Sequence, residues 1–201
     1  MKPNLYLALV HYPVVNKNGD VVAAAVTNLD LHDSARLART YGVAAFYVIT
    51  PLDDQRNLAR RILSHWVSGG GAGYNPSRGD ALSIVRVRKT CDEMIREIAA
   101  AGRGTPRMVV TSARRSPGCL SYGRFRGMLH QGGAYVLNFG TAWGLSQEFV
   151  QAADYRLDPI TGGTDYNHLS VRSAASIIVD RLLGGSGENH QHTDRLEQRE
   201  L

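Results

Sequence analysis

The sequence predicts an α/β fold in which helices cover both faces of a mostly parallel sheet. Short apolar runs typical of buried strands alternate along the chain with stretches whose apolar residues recur at helical spacing. A length of 201 residues suits one such domain, and the sequence contains no internal repeat. We therefore expect a single domain over residues 1–184, with ligands at the carboxyl ends of its strands. The polar residues 185–201 are predicted to form a disordered tail.

The composition is typical of a soluble globular protein. Hydrophobic residues make up 43% and charged residues 20% of the chain, and no apolar run approaches the roughly 18 residues of a membrane helix. Cys91 and Cys119 are the only cysteines and form no CxxC motif, which indicates reduced thiols in the cytoplasm. His190 and His192 lie in the polar tail, so we expect no metal site.

The first half of the chain contains three predicted strands and two predicted helices. The strands are the apolar runs at residues 5–11, 21–26 and 45–49. Asp30 is the expected N-cap of the first helix, which Gly42 ends. The second helix is expected to begin at Pro51, because proline favours the first helical position, and to reach Trp66.

Residues 68–79 are rich in glycine and are predicted to form a mobile surface loop. A nucleotide-binding fingerprint is a poor match, because the segment follows a helix rather than a strand, Tyr74 interrupts GxGxxG and no GK[ST] follows. The missing fingerprints also count against an unrelated NAD or ATP enzyme.

The second half of the chain alternates in the same way. Its predicted strands are residues 82–87, 108–111, 135–139 and 155–157. A capping box at Thr90 and Glu93 begins a helix that Gly102 ends. Ser170 is the predicted cap of the last helix and Gly184 its predicted end.

Two of these strands end in loops that contain glycine. Gly140, Thr141 and Gly144 follow residues 135–139, and Asp158 to Thr164 follow residues 155–157. Glycine lets the backbone approach a ligand without an intervening Cβ atom. The two loops therefore predict one pocket lined by backbone groups, of the kind that suits a nucleoside cofactor.

The same residues resemble the SPOUT superfamily of RNA methyltransferases, which use S-adenosylmethionine (SAM). Phe139 to Ser146, F-G-T-A-W-G-L-S, resembles the second motif of that family, and Pro159 to Ala175 resembles the third. The sequence departs from the family at Ala142, where a glutamate is usual. It departs again at His168-Leu169-Ser170, where S-L-N is usual, with Asn167 as a stand-in.

The resemblance implies a C-terminal trefoil knot, with SAM bent into the knotted pocket. It also implies a homodimer that pairs through the knot region. Three loops, after residues 108–111, 135–139 and 155–157, are then expected to bind SAM. The implied cofactor-binding residues are Thr111, Ser112, Gly140, Thr141, Gly144, Leu157, Ile160, Gly162, Asn167, Leu169 and Ser170.

Asn28 and the run from Arg36 to Val43 resemble the first SPOUT motif. In the ribose methyltransferase branch its arginine is a catalytic and RNA-binding residue, which implies that role for Arg36. The spacing from Asn28 to Arg36 is two residues longer here. The alternative is that Arg36 is only an exposed helix side chain.

Basic residues predict an RNA partner. Residues 86–126 contain ten lysines and arginines against three acidic residues, an excess that suits a polyanion. The candidate RNA-binding residues are Asn28, Arg114, Arg115, Tyr122, Arg124 and Arg126. Alternatively, the arginines are scattered over different faces, and Tyr122 and Phe125 form one buried helix face. Tyr74, Asn75 and Arg78 could also contact RNA as a lid.

These residues predict a SAM-dependent RNA methyltransferase that acts on tRNA or rRNA. If the acceptor is a guanine ring nitrogen, the resemblance to the family's tRNA guanine methyltransferases implies Asp165 as the carboxylate that takes its proton. The alternative is that Asp165 is a solvated turn residue. If the acceptor is a ribose 2′-hydroxyl, Arg36 becomes the central residue. The departures from the family motifs leave a second hypothesis, an RNA-binding module that keeps the fold and has lost methyl transfer.

Overall fold

A computed structural model describes residues 4–185, in which six parallel strands form one sheet. The strand order is β5-β4-β1-β7-β6-β8, and every pairing is parallel. A separate antiparallel pair, β2 with β3, follows β1. The strands are β1 (Leu5–Val10), β2 (Val14–Val15), β3 (Val21–Val22), β4 (Phe46–Ile49), β5 (Val85–Arg88), β6 (Arg107–Val110), β7 (Tyr135–Gly140) and β8 (Tyr155–Arg156). The described residues end at residue 185, so the rest of the predicted tail lies outside them.

Helices lie on both faces of the sheet, as predicted. The helices are α1 (Asn28–Thr40), α2 (Asp53–Val67), α3 (Gly70–Tyr74), α4 (Pro76–Ser83), α5 (Cys91–Ile98), α6 (Tyr122–His130), α7 (Gln147–Ala152) and α8 (Val171–Leu183). Buried residues of α1, α2, α4, α6 and α8 share one core cluster with alternate strand residues. Helices α5 and α7 pack on the other face. No helix in residues 4–185 is long and apolar enough to cross a bilayer.

Strand β1 lies at the centre of the sheet because it is apolar along its whole length. All six of its residues are buried. Leu7 is paired with Phe46 of β4 on one side and with Leu137 of β7 on the other. Continuous apolar strands of this kind are typical of parallel sheets covered on both faces.

Helices α1 and α8 are neighbours, although they are far apart in the sequence. Arg172, near the start of α8, lies 3.3 Å from Asp30 and 2.8 Å from Asp33 of α1. At the other ends of the helices the Tyr41 hydroxyl donates to Asp180 at 2.8 Å. These contacts bring the region of the first motif beside the helix that follows the third.

Several predicted boundaries were wrong. Thr27, not Asp30, caps α1, because its hydroxyl oxygen accepts from the Asp30 N–H at 3.1 Å. Helix α2 begins at Asp53 rather than Pro51. The predicted strand 21–26 is reduced to β3, which pairs only with the two residues of β2. The predicted strand 82–87 is β5, and its first residues belong to α4.

The glycine-rich segment 68–79 is not a loop. It contains α3 and the start of α4. A Cβ atom at Gly71 would lie 2.6 Å from the Trp66 ring, and one at Gly79 would lie 2.6 Å from the Trp66 carbonyl oxygen. The glycines therefore permit close helix packing, which local sequence patterns do not reveal.

The other predicted helix ends were confirmed. Thr90 accepts from the Glu93 N–H, and Ser170 accepts from the Ser173 N–H, each at 3.2 Å. Gly184 is the C-cap of α8. Gly102 adopts a φ of +75°, a conformation that favours glycine, where the extension of α5 ends.

Candidate functional site

The carboxyl ends of β7, β6 and β8 lie side by side, so the three predicted cofactor loops leave the same edge of the sheet. Thr111, the first residue after β6, is tied to β7. Its backbone N–H and its hydroxyl both donate to the Asn138 carbonyl, at 3.1 and 3.0 Å. The parallel topology therefore brings the three loops together, as expected.

An open cleft of about 390 Å³ lies between the β6 loop, residues 111–121, and the β8 loop, residues 157–170. This volume falls within the roughly 300 to 1,000 Å³ of small-molecule and cofactor sites. The lining residues are Ala113, Arg115, Tyr122, Asp158, Pro159, Thr161, Asn167 and Arg181.

Contacts between the two loops hold the cleft together. The side-chain amide of Asn167 donates to the Ala113 carbonyl at 2.9 Å. The Arg115 guanidinium lies 3.5 Å from the Asp158 carboxylate. Beneath them, Leu120 and Leu157 form a parallel bridge. The cleft therefore contains both positive and negative side chains, and a hydrogen bond from the Asn167 side-chain amide spans it.

Two side chains from helices form a further wall of the cleft. The Arg181 guanidinium lies 5.2 Å from the centre of the Tyr122 ring. Burial raises the pKa of Tyr122, and the neighbouring Arg181 charge opposes that change. The phenol therefore stays neutral near pH 7, with its hydroxyl oxygen buried and its ring at the wall of the cleft.

The β7 loop, residues 140–146, is held by the chain that follows β1. Trp143 N–H donates to the Val15 carbonyl at 3.0 Å, and Val15 N–H donates to the Gly144 carbonyl at 2.9 Å. A Cβ atom at Gly140 would lie 2.5 Å from the Leu145 nitrogen. Gly140 is therefore required by the loop's own turn, and no residue of this loop lines the cleft.

The β7 loop also contains unusual backbone angles. Ala142, which stands where the family has glutamate, adopts a φ of +51°, and Gly144 adopts +107°. A positive φ in a residue with a Cβ atom is uncommon and marks a backbone held by its surroundings.

Several predicted cofactor residues already use their side chains within the fold. The Thr141 hydroxyl donates to the Val10 carbonyl at 3.2 Å, and the Ser170 hydroxyl caps α8. The Leu157 side chain is only 1% exposed and belongs to the core. These residues can contact a ligand mainly through backbone atoms. Ser112, Gly162 and Leu169 are exposed, and Ile160 is partly buried against the core.

The two candidate catalytic residues lie in different places. Asp165 is exposed in the β8 loop, two residues before Asn167 of the cleft. Arg36 is exposed on α1, and Asn28 is the exposed first residue of that helix. Neither catalytic candidate lines the cleft itself.

The basic residues do not form one surface. Arg86 and Arg88 belong to β5, at the edge of the sheet opposite β8, and Arg88 pairs with Glu97 at 2.6 Å. The Arg126 guanidinium donates to the Arg181 carbonyl of α8. Arg114 and Arg124 are exposed. The alternative of scattered arginines therefore holds for part of the segment.

The two aromatic residues of α6 pack on the same core cluster but differ in burial. Phe125 is completely buried, whereas Tyr122 is half-buried at the cleft. Five cleft residues were not predicted as site residues from the sequence: Ala113, Asp158, Pro159, Thr161 and Arg181. Asp158, Pro159 and Thr161 lie in the loop that it identified, but Arg181 lies in the last turns of a helix and carries no local signal.

A buried histidine supports the segment that holds the β7 loop. His11 follows β1 and is fully buried, and the Ala25 backbone lies near its ring. Burial lowers the pKa of His11 from 6.5 to about 4, although the nearby Asp30 charge opposes the change. The ring is therefore neutral at pH 7. Among residues 4–185, no group of three His, Cys, Asp or Glu side chains could hold a metal ion.

A family profile described as SAM-dependent RNA methyltransferase matches residues 4–184. The chain belongs to this family. A protein of Aquifex aeolicus described only as uncharacterized is 38% identical over 180 residues, which cover 89% of this chain and 88% of that protein. The match therefore extends over nearly the whole of both proteins.

Two longer relatives of this methyltransferase family have a named activity. A tRNA (guanine-N(1)-)-methyltransferase of Oleidesulfovibrio alaskensis is 46% identical over 181 residues, and one of Nitratidesulfovibrio vulgaris is 45% identical. In each case the match covers 90% of this chain and 42% of the relative. The chain thus spans less than half the length of these two enzymes.

Solved structures confirm the SPOUT-like fold of this family member. TrmJ from Z. mobilis superposes with a TM-score of 0.57 at 16% identity, over 89% of this chain and 68% of that one. The A. aeolicus TrmH/SpoU tRNA modifying enzyme gives 0.53 at 16% identity, over 90% and 74%. An AdoMet-bound rRNA methyltransferase from Sinorhizobium meliloti gives 0.51 at 16% identity, over 89% and 55%.

Proposed function

We propose that this methyltransferase transfers a methyl group from SAM to a guanine base of tRNA. The observation that carries the proposal is that one loop, residues 157–170, supplies both much of the cleft and an exposed carboxylate, Asp165. The names of the two longer relatives support guanine in tRNA as the substrate. The match covers only 42% of each of those relatives, so the substrate must be tested on this chain itself.

The cleft has the chemical groups that SAM requires. Asp158 and Thr161 present oxygen acceptors that suit ribose hydroxyls and an ammonium group, and Arg115 and Arg181 present donors that suit a carboxylate. Pro159 and Tyr122 supply apolar surface for the adenine ring. These residues would hold SAM between the β6 and β8 loops. When bound there, SAM supplies an electrophilic methyl group on a positively charged sulfur.

The protein's own part in the reaction is alignment and proton transfer. Asn167 joins the β8 loop to the β6 loop, which fixes the side of the cleft nearest Asp165. The Asp165 carboxylate would take the proton from guanine N1 as the new nitrogen–carbon bond forms. Exposed Arg114 and Arg124 would bind RNA phosphates near the cleft.

A ribose 2′-hydroxyl is the second candidate acceptor. It is favoured by the resemblance of Asn28 and Arg36 to the first motif of the ribose branch, with Arg36 exposed on α1 beside α8. In that reaction Arg36 would be the central residue. Asp165 would then be dispensable.

Methylated nucleosides distinguish the two acceptors. Purified protein is incubated with SAM and unmodified tRNA, and the digested RNA is analysed by mass spectrometry. The proposal predicts N1-methylguanosine, abolished by Asp165→Asn. A 2′-O-methyl nucleoside that is lost in Arg36→Ala would establish the second candidate. Titration calorimetry with SAM completes the test, because absence of binding would favour an RNA-binding module without transfer chemistry.

We also propose that the protein is a cytoplasmic homodimer that pairs through a C-terminal knot. Contacts between residues 157–170 and the β6 loop, through Leu120 and Asn167, support threading of this segment. Trp143 and Tyr166, which are 68% and 74% exposed, lie at the same edge of the sheet and suit a partner surface. The free thiols of Cys91 and Cys119 fit a reducing compartment. Analytical ultracentrifugation tests the dimer, and Trp143→Ser is expected to weaken it.

A further inference from the structure

A tryptophan at the outer surface of the helical layer joins three helices. Trp66 of α2 is contacted edge-on by two histidine rings, His32 of α1 at 5.6 Å and His65 at 5.1 Å between ring centres. The Arg78 guanidinium of α4 lies 4.5 Å from the centre of the same ring. We call His32, His65, Trp66 and Arg78 the Trp66 cluster.

The Trp66 cluster is closely packed, although the segment that contributes Arg78 was predicted to be a mobile loop. Gly71 and Gly79 pack directly on Trp66. A Cβ atom at either position would lie only 2.6 Å from a Trp66 atom, so a larger residue does not fit. Asn75 caps α4 by accepting from the Arg78 N–H at 3.0 Å. Tyr74, the last residue of α3, is 84% exposed. The segment therefore displays a tyrosine from a closely packed support.

The arginines around this cluster are not neutralised. Among residues 4–185, no carboxylate lies within ion-pair distance of Arg36, Arg61 or Arg78. By contrast, Arg39 on the same helical layer pairs with Asp80 at 2.8 Å. Arg61 lies one helical turn before His65 and so shares its side of α2. Unpaired guanidinium groups beside exposed aromatic surface suit a polyanion that carries flat rings.

The charges around His32 show which arginines lie close to the Trp66 cluster. Burial lowers the pKa of His32, and the positive charges of Arg78 and Arg36 lower it more, against the opposing effect of Asp33. Both guanidinium groups are therefore close to the same imidazole. Helix α1 continues the surface toward α8, because Arg172 bridges from α8 to Asp33. An extended ligand on the cluster can thus reach the start of α8 and the β8 loop.

We propose that the Trp66 cluster, with Tyr74 and Arg61, binds an unpaired segment of the RNA substrate that flanks the methylated nucleotide. Arg61 and Arg78 bind its phosphates, and a base stacks on Tyr74. This surface deepens the proposed function and rests on it, because RNA is its ligand. It is separate from the arginines of the β6 loop and α6.

The experiment measures binding of a fluorescein-labelled single-stranded RNA of roughly 12 nucleotides, a length that single-strand grooves cover. Tyr74→Ala is expected to raise Kd about fivefold or more, since base stacking on an aromatic ring has a large effect. In Arg61→Met with Arg78→Met, the slope of log Kd against log salt should fall by about 0.7 for each lost phosphate contact. Methionine keeps an apolar chain over Trp66.

Arg96→Met is the matched control, because Arg96 is exposed on α5 at the opposite face of the sheet. It should leave the salt slope unchanged. SAM affinity and thermal unfolding should be the same in all variants. Unchanged RNA affinity in the variants, or no binding of the probe by the native protein, would overturn the proposal. So would a change in oligomeric state in Tyr74→Ala, which would assign the surface to a contact between copies.

The two proposals can fail separately. RNA binding that depends on the Trp66 cluster, in a protein without affinity for SAM, would refute the proposed methyl transfer and leave this RNA surface intact. SAM-dependent methylation of tRNA that is insensitive to the cluster, with unchanged RNA affinity, would refute the surface alone.

Discussion

The β7 loop and the β8 loop resemble motifs of one family, yet the fold holds them in different ways. The β7 loop is hydrogen-bonded to the end of β1 through Thr141 and to the segment after β1 through Trp143, Gly144 and Ser146. Most of the β8 loop is exposed, and its polar contacts to the β6 loop are few: the hydrogen bond from Asn167 to the Ala113 carbonyl, the Arg115–Asp158 ion pair and the bond from the Asp158 N–H to Leu120. The first loop is therefore part of the folded framework, and the second is available to a ligand. Substitutions should lower stability in one and binding in the other.

Gly140→Val should show the largest effect. Its branched side chain would collide with the Leu145 nitrogen, which a Cβ atom alone would approach to 2.5 Å. We expect the free energy of unfolding to fall by about 3 kcal/mol, measured by urea denaturation. Gly162→Val in the β8 loop is the matched control, because nothing lies within 4 Å of its Cβ position. Equal losses in both variants would remove the contrast between the loops.

Acid should weaken the framework through His11. Its pKa is about 4 in the folded protein and 6.5 as the ordinary value, so the unfolded chain binds the proton first as the pH falls. Stability is complete above pH 6.5 and is lost toward pH 4. Between about pH 7 and about pH 5 the loss should be about 2 kcal/mol.

His11→Leu should flatten this pH dependence, as followed by urea denaturation at each pH. His130→Leu is the control, because His130 is exposed at the end of α6. If the native curve and the His11→Leu curve have the same slope, burial of His11 is not the cause of the acid sensitivity.

Gly144→Ala should have a smaller effect on the framework. Space is available for the methyl group, but the φ of +107° is unfavourable for any residue with a Cβ atom. We expect a loss of about 1 to 2 kcal/mol in thermal or urea unfolding. Gly127→Ala, inside α6 and also with open space, should instead gain about 0.5 to 1 kcal/mol. A stabilised Gly144→Ala would show that the loop backbone can relax.

Asn167→Ala should have the smallest effect on stability and act on binding. Loss of its bond to Ala113 frees the β8 loop, which we expect to weaken SAM binding about fivefold without changing the unfolding temperature. Titration calorimetry measures the affinity. Thr164→Ala should leave the affinity unchanged, because its hydroxyl bonds only within the loop, to Tyr166. A fall in unfolding temperature in Asn167→Ala would place the β8 loop in the framework as well.

Features that depend on residues close together in the sequence were predicted well. The apolar runs of β1, β4, β6, β7 and β8 marked five of the six strands of the sheet, and Thr90, Ser170 and Gly184 marked helix ends. The motif loops after β7 and β8 were also predicted, because the glycine, proline and hydroxyl residues that form such loops follow the strands directly in the sequence. Boundaries failed where a longer-range contact competed, as at Pro51 and in residues 21–26.

The sequence by itself determined the alternation of strands and helices, the family motifs and the edge of the sheet from which the motif loops leave. Tertiary structure alone decided which of those residues share a cleft. Arg181 meets Tyr122, and Gly71 meets Trp66, only after helices have packed. Such contacts depend on the strand order and helix packing of the whole domain, and the periodicity of a single segment contains no record of them.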